Sequence, residues 1–474
     1  MHGIILNSRR PGLDGISRYV LFDLEGKTVI EARSSLELRP GEVVNSGRSG
    51  TIDTARIEPG NFAIEILKRN AGEIAGLTNA KPYATGNANI DCITEKAWKK
   101  LKQCGALLLT KLAMASPVII RFHNDADGSS GAYALYRSIY KFMDKHGCLR
   151  YKPGIHWIMQ KGVSYSLSDA NEDLMLASSC SSLDKPLIIL IDFGTSPESN
   201  AGIERIQKSF DIIWLDHHPI AKGFKWATLN GYVNPWLFGG DSDYTAGFLA
   251  CSFSKTFADA ETGEIENASF IGDSSLFANL DKPGADLSAL LDLVTSDAKV
   301  AFGAAAQNVT PGEIEKLLDD RNRSSELIAF AKLRLGEVID KAIPILRQYK
   351  AGKAYVYTLD FEYVRDEKSK YPTPGRFSTK LLAKVTEIKK APCIVIVYSG
   401  KYISIRVSRD LSGNIDMRGV IDDIKGNYAE LVEAGGGHML ASGIKLLEKQ
   451  ETAKVVAKIV SLFKVQLGEG FKLS

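Results

Sequence analysis

Residues 118–128 read Val-Ile-Ile-Arg-Phe-His-Asn-Asp-Ala-Asp-Gly. Val118 to Phe122 is apolar apart from Arg121, the pattern of a strand buried on both faces. It runs straight into His123, Asp125 and Asp127. Two further apolar runs end the same way. Pro186 to Ile191 leads into Asp192-Phe193-Gly194, and Asp211 to Leu215 leads into Asp216-His217-His218-Pro219. Segments with helical apolar spacing lie between and around them: Glu95 to Ala115 (Leu101, Leu107, Leu108, Leu112, halted by Pro117) and Ser130 to His146. Short apolar strands alternating with helices mark an α/β fold, a parallel sheet with helices on both faces. Ligands of open parallel sheets bind at the carboxyl ends of the strands, so the three polar clusters are predicted to converge on one crevice.

Outward from this sheet, pattern divides the chain into four. Residues 1–90 read as β-rich at first, with Arg18 to Leu24 and Lys27 to Ala32 around a Glu25-Gly26 turn, then the turn-rich stretch Pro40 to Gly50. Several short strands are compatible with a small barrel of the oligonucleotide-binding (OB) sort and equally with a structural cap. Residues 91–290 hold the parallel sheet. Residues 291–347 are helical and charged, a connector. Residues 348–474 return to strands (Ala354 to Leu359, Pro392 to Val407) and helices (Ser378 to Ile388, Glu451 to Phe463), a second, smaller α/β domain.

Composition excludes several classes. With 474 residues, 45% apolar and 24% charged, the chain is neither disordered nor collagen-like. No apolar run reaches the ~18 residues of a membrane span, and the four-residue apolar run before Arg9 and Arg10 is short for a signal-peptide core. Six cysteines lie far apart without a CxxC pair, which disfavours a disulfide framework and a thiolate zinc site and fits a reduced, cytoplasmic protein. The net charge of +3 hides an asymmetry. From Ile345 onward 22 Lys+Arg face 14 Asp+Glu, while the remainder carries 37 against 42. A basic C-terminal third suits an anionic substrate, and it suits a solvated lysine-rich surface as well.

Taken singly, an Asp or Asn after a strand is a turn former, bonding nearby backbone amides. Their coincidence is the argument, because three of only seven histidines fall in these clusters. Carboxylates and imidazoles crowded into one cleft need a counter-ion. Mixed oxygen and nitrogen donors without thiolate suit Mn²⁺, with Mg²⁺, Fe²⁺ or Co²⁺ as other candidates. Two such ions sharing a bridging Asp would generate a hydroxide and clamp a phosphoryl group for in-line attack.

HNDADG (123–128), the strand-end Asp192 and DHHP (216–219) together resemble the successive motifs of the DHH phosphoesterase superfamily, and Ile271-Gly272-Asp273 resembles its fourth motif. Gly435-Gly436-Gly437-His438 is similar to the glycine-rich signature of the DHH-associated C-terminal domain. The resemblance covers about residues 95 to 465. It implies a DHH catalytic domain and a DHH-associated substrate-binding domain with the active site in the cleft between them. It further implies two divalent ions, Mn²⁺ preferred. His123 and Asp125 would bind the first, Asp127, His217 and Asp273 the second, and Asp192 would bridge. Asp281 and Asp286 lie close enough in sequence to compete with Asp273. Asp216 would orient the histidine ligand and His218 would touch the scissile phosphate. On the substrate side the resemblance implies Gly435, Gly436, Gly437 and His438, the glycines bringing backbone amides to an anion in a nest-type loop. Arg406, Arg409 and Arg376 are phosphate forks or salt-bridge partners.

Chain length and motif placement are similar to archaeal RecJ-like nucleases, which implies a single-strand exonuclease on DNA or RNA acting in repair or replication. The GINS replication complex, with which some of these nucleases associate, is a further implied partner. The alternative is a nanoRNase or small-nucleotide phosphodiesterase acting on short oligonucleotides, adenosine bisphosphate or cyclic dinucleotides. A third reading is a non-catalytic replisome scaffold, which the complete set of metal ligands disfavours. Trp236, Phe238 and Tyr244, just after DHHP, are candidates for base stacking or for packing.

Overall fold

The computed structural model describes residues 2–9, 16–46, 51–56, 61–79, 81–82, 84–146, 154–160, 162, 164–306, 308–366, 369–437 and 439–468. The chain divides into two units, Met1–His123 with Asp127–Gly284, and Ala285–Ser474 with the short loop Asn124–Ala126.

The first unit begins with five strands, β1 (His2–Arg9), β2 (Ser17–Asp23), β3 (Val29–Ser34), β4 (Val43–Ser46) and β5 (Ile52–Arg56). They pair in the order β3-β2-β1-β4-β5, and a parallel bridge from Arg33 to Thr51 joins the two ends. Alternation along the strands sends Ile5, Tyr19, Leu21, Ala32, Val44 and Ile52 to one small core. The other face gives Ile4, Leu6, Val20 and Phe22 to the main core, where they meet α1 (Asn61–Ala75) and α2 (Ala88–Ala113). The β-rich reading of this region stops too late. Ala63, Leu67, Ala71 and Ile74 recur at helical spacing and bury one face of α1.

The parallel sheet follows: β6 (Val118–His123), α3 (Ala126–His146), β7 (Ile155–Gln160), α4 (Leu167–Ala177), β8 (Cys180–Ser182), β9 (Leu187–Ile191), α5 (Asn200–Ile206), β10 (Asp211–Leu215), β11 (Gly231–Val233), α6 (Ala246–Ser254) and α7 (Gly263–Gly272). β8 joins β1 instead of this sheet. The five strands pair in parallel in the order β11-β10-β9-β6-β7. Both faces are covered. Ile120, Phe122, Ile189, Ile191 and Ile213 pack with α2, α3 and α6, while Ile119, Ile188, Leu190 and Trp214 pack with α4 and α5. Each such side chain contributes about 1.5–3 kcal/mol on burial, which pins the register. Strand order reverses between β6 and β9, the position where open α/β sheets bind ligands.

The second unit opens with four helices, α8 (Ala285–Ser296), α9 (Ala298–Phe302), α10 (Pro311–Asp319) and α11 (Arg321–Ala342). Then come β12 (Arg347–Ala351), β13 (Ala354–Asp360), α12 (Pro374–Lys389), β14 (Cys393–Ser399), β15 (Tyr402–Val407), α13 (Met417–Asn427), β16 (Val432–Gly437), β17 (Ala441–Leu446) and α14 (Thr452–Gly468). The sheet runs β12-β13-β14-β15-β17-β16, and only β13 and β14 are parallel. α13 and α14 cover one face, α11 and α12 the other. The glycine run is not a nest-type loop. Gly435, Gly436 and Gly437 are extended and pair with Ile444, Gly443 and Ser442, so successive amides alternate in direction instead of converging. Gly437 does need to be glycine, with φ of 136° and a Cβ that would fall 2.3 Å from the Ala441 carbonyl oxygen.

Among the described residues, no helix is long and apolar enough to cross a membrane.

Candidate metal centre

The carboxyl ends of β6, β9 and β10 bring the three sequence clusters together at the switch point. Ligand atoms of Asp192, His217 and His218 lie within 4.8 Å of one another, and so do those of His123, Asp125 and Asp192. Asp192 belongs to both groups because it ends the central strand β9. Its backbone is left-handed (φ 64°), which turns the carboxylate up from the sheet at a conformational cost, as functional residues often do. Oδ2 faces His123 Nδ1 at 3.6 Å and Oδ1 faces His217 Nε2 at 3.4 Å. Asp192 is 4% exposed, and its Oδ1 has no hydrogen-bond partner.

A buried carboxylate oxygen with no hydrogen bond is rare, and the 3.4 Å approach of His217 Nε2 only partly replaces its lost hydration. Burial would raise the Asp192 pKa, yet His123 and His217 hold it well below the usual carboxylate range. Conversely, burial would lower His217, while Asp192, Asp273 and Asp127 raise it well above the ordinary imidazole value. The site therefore stabilises positive charge. Its donors are oxygen and imidazole nitrogen with no sulfur, a set that fits hard to intermediate divalent ions such as Mn²⁺ or Mg²⁺.

Two of the imidazoles, His217 and His218, are oriented by partners on Nδ1. His217 Nδ1 donates to the Ser242 carbonyl at 2.7 Å, which turns Nε2 toward Asp192 and toward Asp127, 3.7 Å away. Asp216, fully buried, accepts from the backbone N–H and from Nδ1 of His218 at 3.2 and 2.8 Å. Asp216 thus serves His218, and the expected orienting of His217 falls to Ser242. Burial would lower the pKa of His218, but Asp216 raises it above the ordinary value.

Asp127 sits in the first turn of α3 with its carboxylate on the N-terminus of α6. It accepts N–H groups of Ala246 and Gly247 at 2.9 and 2.8 Å, and the Ser269 hydroxyl, which also contacts Thr245. A helix N-terminus favours the ionised form. Gly247 has no room for a side chain, since a Cβ there would lie 2.8 Å from Asp127 Oδ1. Asp273 caps α7, 3.8 Å by Oδ2 from His217 Nδ1 and outside both tight groups. Its sequence rival Asp286 is instead paired with Lys332 at 2.6 Å.

Sequence reasoning missed Ser242, Thr245, Gly247 and Ser269. Thr245 before an apolar run was a readable helix cap; the others carry no local signal. Trp236 is exposed and its indole N–H donates to the His217 carbonyl at 3.1 Å, whereas Tyr244 is buried and Phe238 half-buried.

In the second unit Arg376 is buried, its Nε 2.8 Å from Asp292 Oδ2. Arg406 on β15 donates from Nε to Thr379 at 2.9 Å and from Nη1 to the Ile405 carbonyl at 3.0 Å. Arg409 is half-buried just after the strand. Gly435 to Gly437 lie on the sheet's edge strand β16. His438 lies outside the described residues.

No family model matches the sequence. A curated relative, an uncharacterized protein of Methanocaldococcus jannaschii, is 23% identical over 497 residues, covering 91% of this chain and 64% of the relative, so the chain spans under two thirds of that protein. A solved DHH domain described as a member of the S1p family of ribosomal proteins aligns with TM-score 0.67 at 18% identity, over 84% of this chain and 96% of that one. RecJ from Thermus thermophilus in complex with Mn²⁺ aligns with TM-score 0.48 at 16% identity, over 77% of this chain and 55% of that one. The fold is that of the solved DHH domain.

Proposed function

We propose that this chain is a metal-dependent phosphodiesterase of the DHH type that hydrolyses single-stranded nucleic acid from an end. The observation that carries the reading is the buried, unbonded Oδ1 of Asp192 between two donor groups at the sheet's switch point. His123, Asp125 and Asp192 would hold one divalent ion, and Asp127, His217 and Asp273, with Asp192 shared, a second. Such ions supply a hydroxide at neutral pH and draw charge from a phosphoryl oxygen.

The remaining work belongs to this chain's own groups. Ser242 keeps the Nδ1 proton on His217, so that Nε2 is available as a donor to the ions. The α6 amides fix the position of the Asp127 carboxylate. Asp216 holds the Nδ1 proton of His218 and favours its cationic form, so that the imidazolium can hold a phosphoryl oxygen or give a proton to the leaving oxygen. The second unit would offer anion contacts of its own in Arg406, Arg409, those amides of Gly435 to Gly437 that turn away from β17, and His438. Arg376 would reach a phosphate only by sharing its charge with Asp292.

The test is release of mononucleotides from end-labelled DNA and RNA of 2 to ~30 nucleotides, with and without Mn²⁺. Metal-dependent shortening of single strands, abolished by Asp192→Asn, is expected. Hydrolysis confined to di- to pentanucleotides would replace the polymer reading with the nanoRNase one. No hydrolysis of any phosphodiester in Mn²⁺, Mg²⁺ or Co²⁺ would end both.

A further inference from the structure

The N-terminal strands carry a row of like charges. Arg9 on β1 lies directly opposite Arg18 on β2, and Arg18 lies directly opposite Arg33 on β3. Residues directly opposite in an antiparallel pair point to the same face with Cβ atoms about 4.5–5.5 Å apart, and like charges so placed cost stability. All three arginines are exposed. Among the described residues, no ion pair or hydrogen bond is made by any of the three side chains. Glu31, two residues from Arg33 on the same face, pairs with none of them.

The buried cations of the unit are paired, Lys111 with Asp184 and Asp211, and Arg121 with Asp169, Glu172 and Asp173. What sets the three arginines apart is register, since they stand directly opposite one another across three strands.

Neighbouring side chains show which way the row points. Tyr19 and Ala32, the next cross-strand pair, enter the small interior core, so Arg18 and Arg33 are on the outer face. Val20 and Phe22 further along that face are covered by helices, and the arginines lie where the cover ends. Arg9 reaches toward the start of β7, its Nη2 3.9 Å from where a Cβ on Gly154 would be. Gly154 precedes the amino end of β7, whereas the candidate metal ligands are at carboxyl ends of the same sheet. The row is separate from the chemistry.

We propose that Arg9, Arg18 and Arg33 form a second binding site, for the phosphodiester backbone of a single strand, which tethers a polymer away from the cleavage site. Planar guanidinium forks suit phosphate oxygens, and forks on adjacent strands repeat about every 4.8 Å, within reach of neighbouring phosphates on a flexible strand. The strand order β3-β2-β1-β4-β5 with β3 running parallel beside the residue before β5 is that of an oligonucleotide-binding barrel, whose β2–β3 face takes single strands. That favours nucleic acid over an acidic protein. The proposal rests on the nucleic-acid reading given above.

The experiment uses the full chain carrying R9A, R18A and R33A together, with an R9K/R18K/R33K version as the charge-retaining control. Binding of a labelled single-stranded 30-mer is measured across a salt series in the Asp192→Asn background, and dinucleotide hydrolysis is measured with Asp192 intact. The alanine version should bind the 30-mer at least about tenfold more weakly near 0.1 M salt and flatten the log–log salt slope by about 2. The lysine version should keep most of that slope. Dinucleotide hydrolysis should be unchanged, and the melting temperature of the alanine version should be no lower than the parent's. An unchanged salt slope overturns the site, and so does a fall in melting temperature, which would make the row structural. Competition by an acidic peptide stronger than that by the 30-mer overturns the ligand class. Failure of the parent to hydrolyse either the dinucleotide or the 30-mer would instead strike the catalytic reading, with the 30-mer binding still reporting on the row.

Discussion

Strand β6 carries two polar side chains on one face, two residues apart, with opposite surroundings. Arg121 is buried and fully answered. Its Nε and Nη2 grip Asp173 at 3.1 and 2.7 Å, Nη2 also meets Glu172 at 2.8 Å, and Nη1 donates to Gln160 at 3.0 Å. Tyr165 donates its hydroxyl to the same Asp173 at 2.8 Å. His123, one step further along, opens onto Asp192, whose Oδ1 has no hydrogen bond. A buried charge with every donor and acceptor matched is finished as structure. One left unmatched at a strand end is held in readiness for something else. The difference separates scaffold from site more clearly than residue type does, because both clusters are built from carboxylates and cations.

If that distinction is right, removing the unmatched group should destroy activity and spare the fold. Asp192→Asn is expected to lower hydrolysis by about a thousandfold or more. Mn²⁺ is expected to raise the Tm of the parent and not that of the variant, while metal-free stability changes little. Parallel assays and metal-titrated melts check this, and retained activity would erase the distinction. The matched cluster should do the reverse. Arg121→Met strands carboxylates that no longer have their cation and is expected to cost about 3–5 kcal/mol, read from urea midpoints. Whatever enzyme remains folded should keep its rate per molecule.

Gly247→Ala probes a residue that has no chemistry of its own. The new methyl would push against Asp127, so metal affinity or turnover should fall about ten- to hundredfold, with Gly128→Ala, crowded against the His123 carbonyl, as a second instance. An intermediate case gives the smallest effect. Asp292 has a cation, Arg376, yet burial pushes its carboxyl up to about 6. The native state thus holds this proton more tightly than the unfolded chain does. Stability from this group is greatest below its ordinary value near 3.8 and declines as pH rises toward about 6. Asp292→Asn should remove that decline, seen as a parent-minus-variant difference in urea midpoint between pH 4 and 7.

Much of this was legible in sequence. The strands β6, β9 and β10 could be read because a strand covered on both faces is a nearly unbroken apolar run, and their polar ends stood out against it. The histidines and aspartates at those ends then converge because parallel strands share one carboxyl edge. Other features were out of reach for definite reasons. Arg121 looked like a flaw in an apolar run, because its partners on α4 are about fifty residues away. The glycine run 435–437 reads as a loop on composition, yet pairing with β17 makes it a strand. Ser242 and Ser269 act through a carbonyl and a hydroxyl that any serine possesses. The arginine row needed register, since Arg9, Arg18 and Arg33 are unremarkable until three strands are aligned.

By itself, then, the order of residues determined the alternating α/β plan, the donor chemistry and the ends of strands where it collects, because periodicity and side-chain chemistry are local properties. Tertiary structure alone decided which donors gather around one carboxylate, which partner orients His217 and His218, and which like charges stand side by side. Those are matters of a few ångströms between residues distant in the chain, and only packing sets such distances.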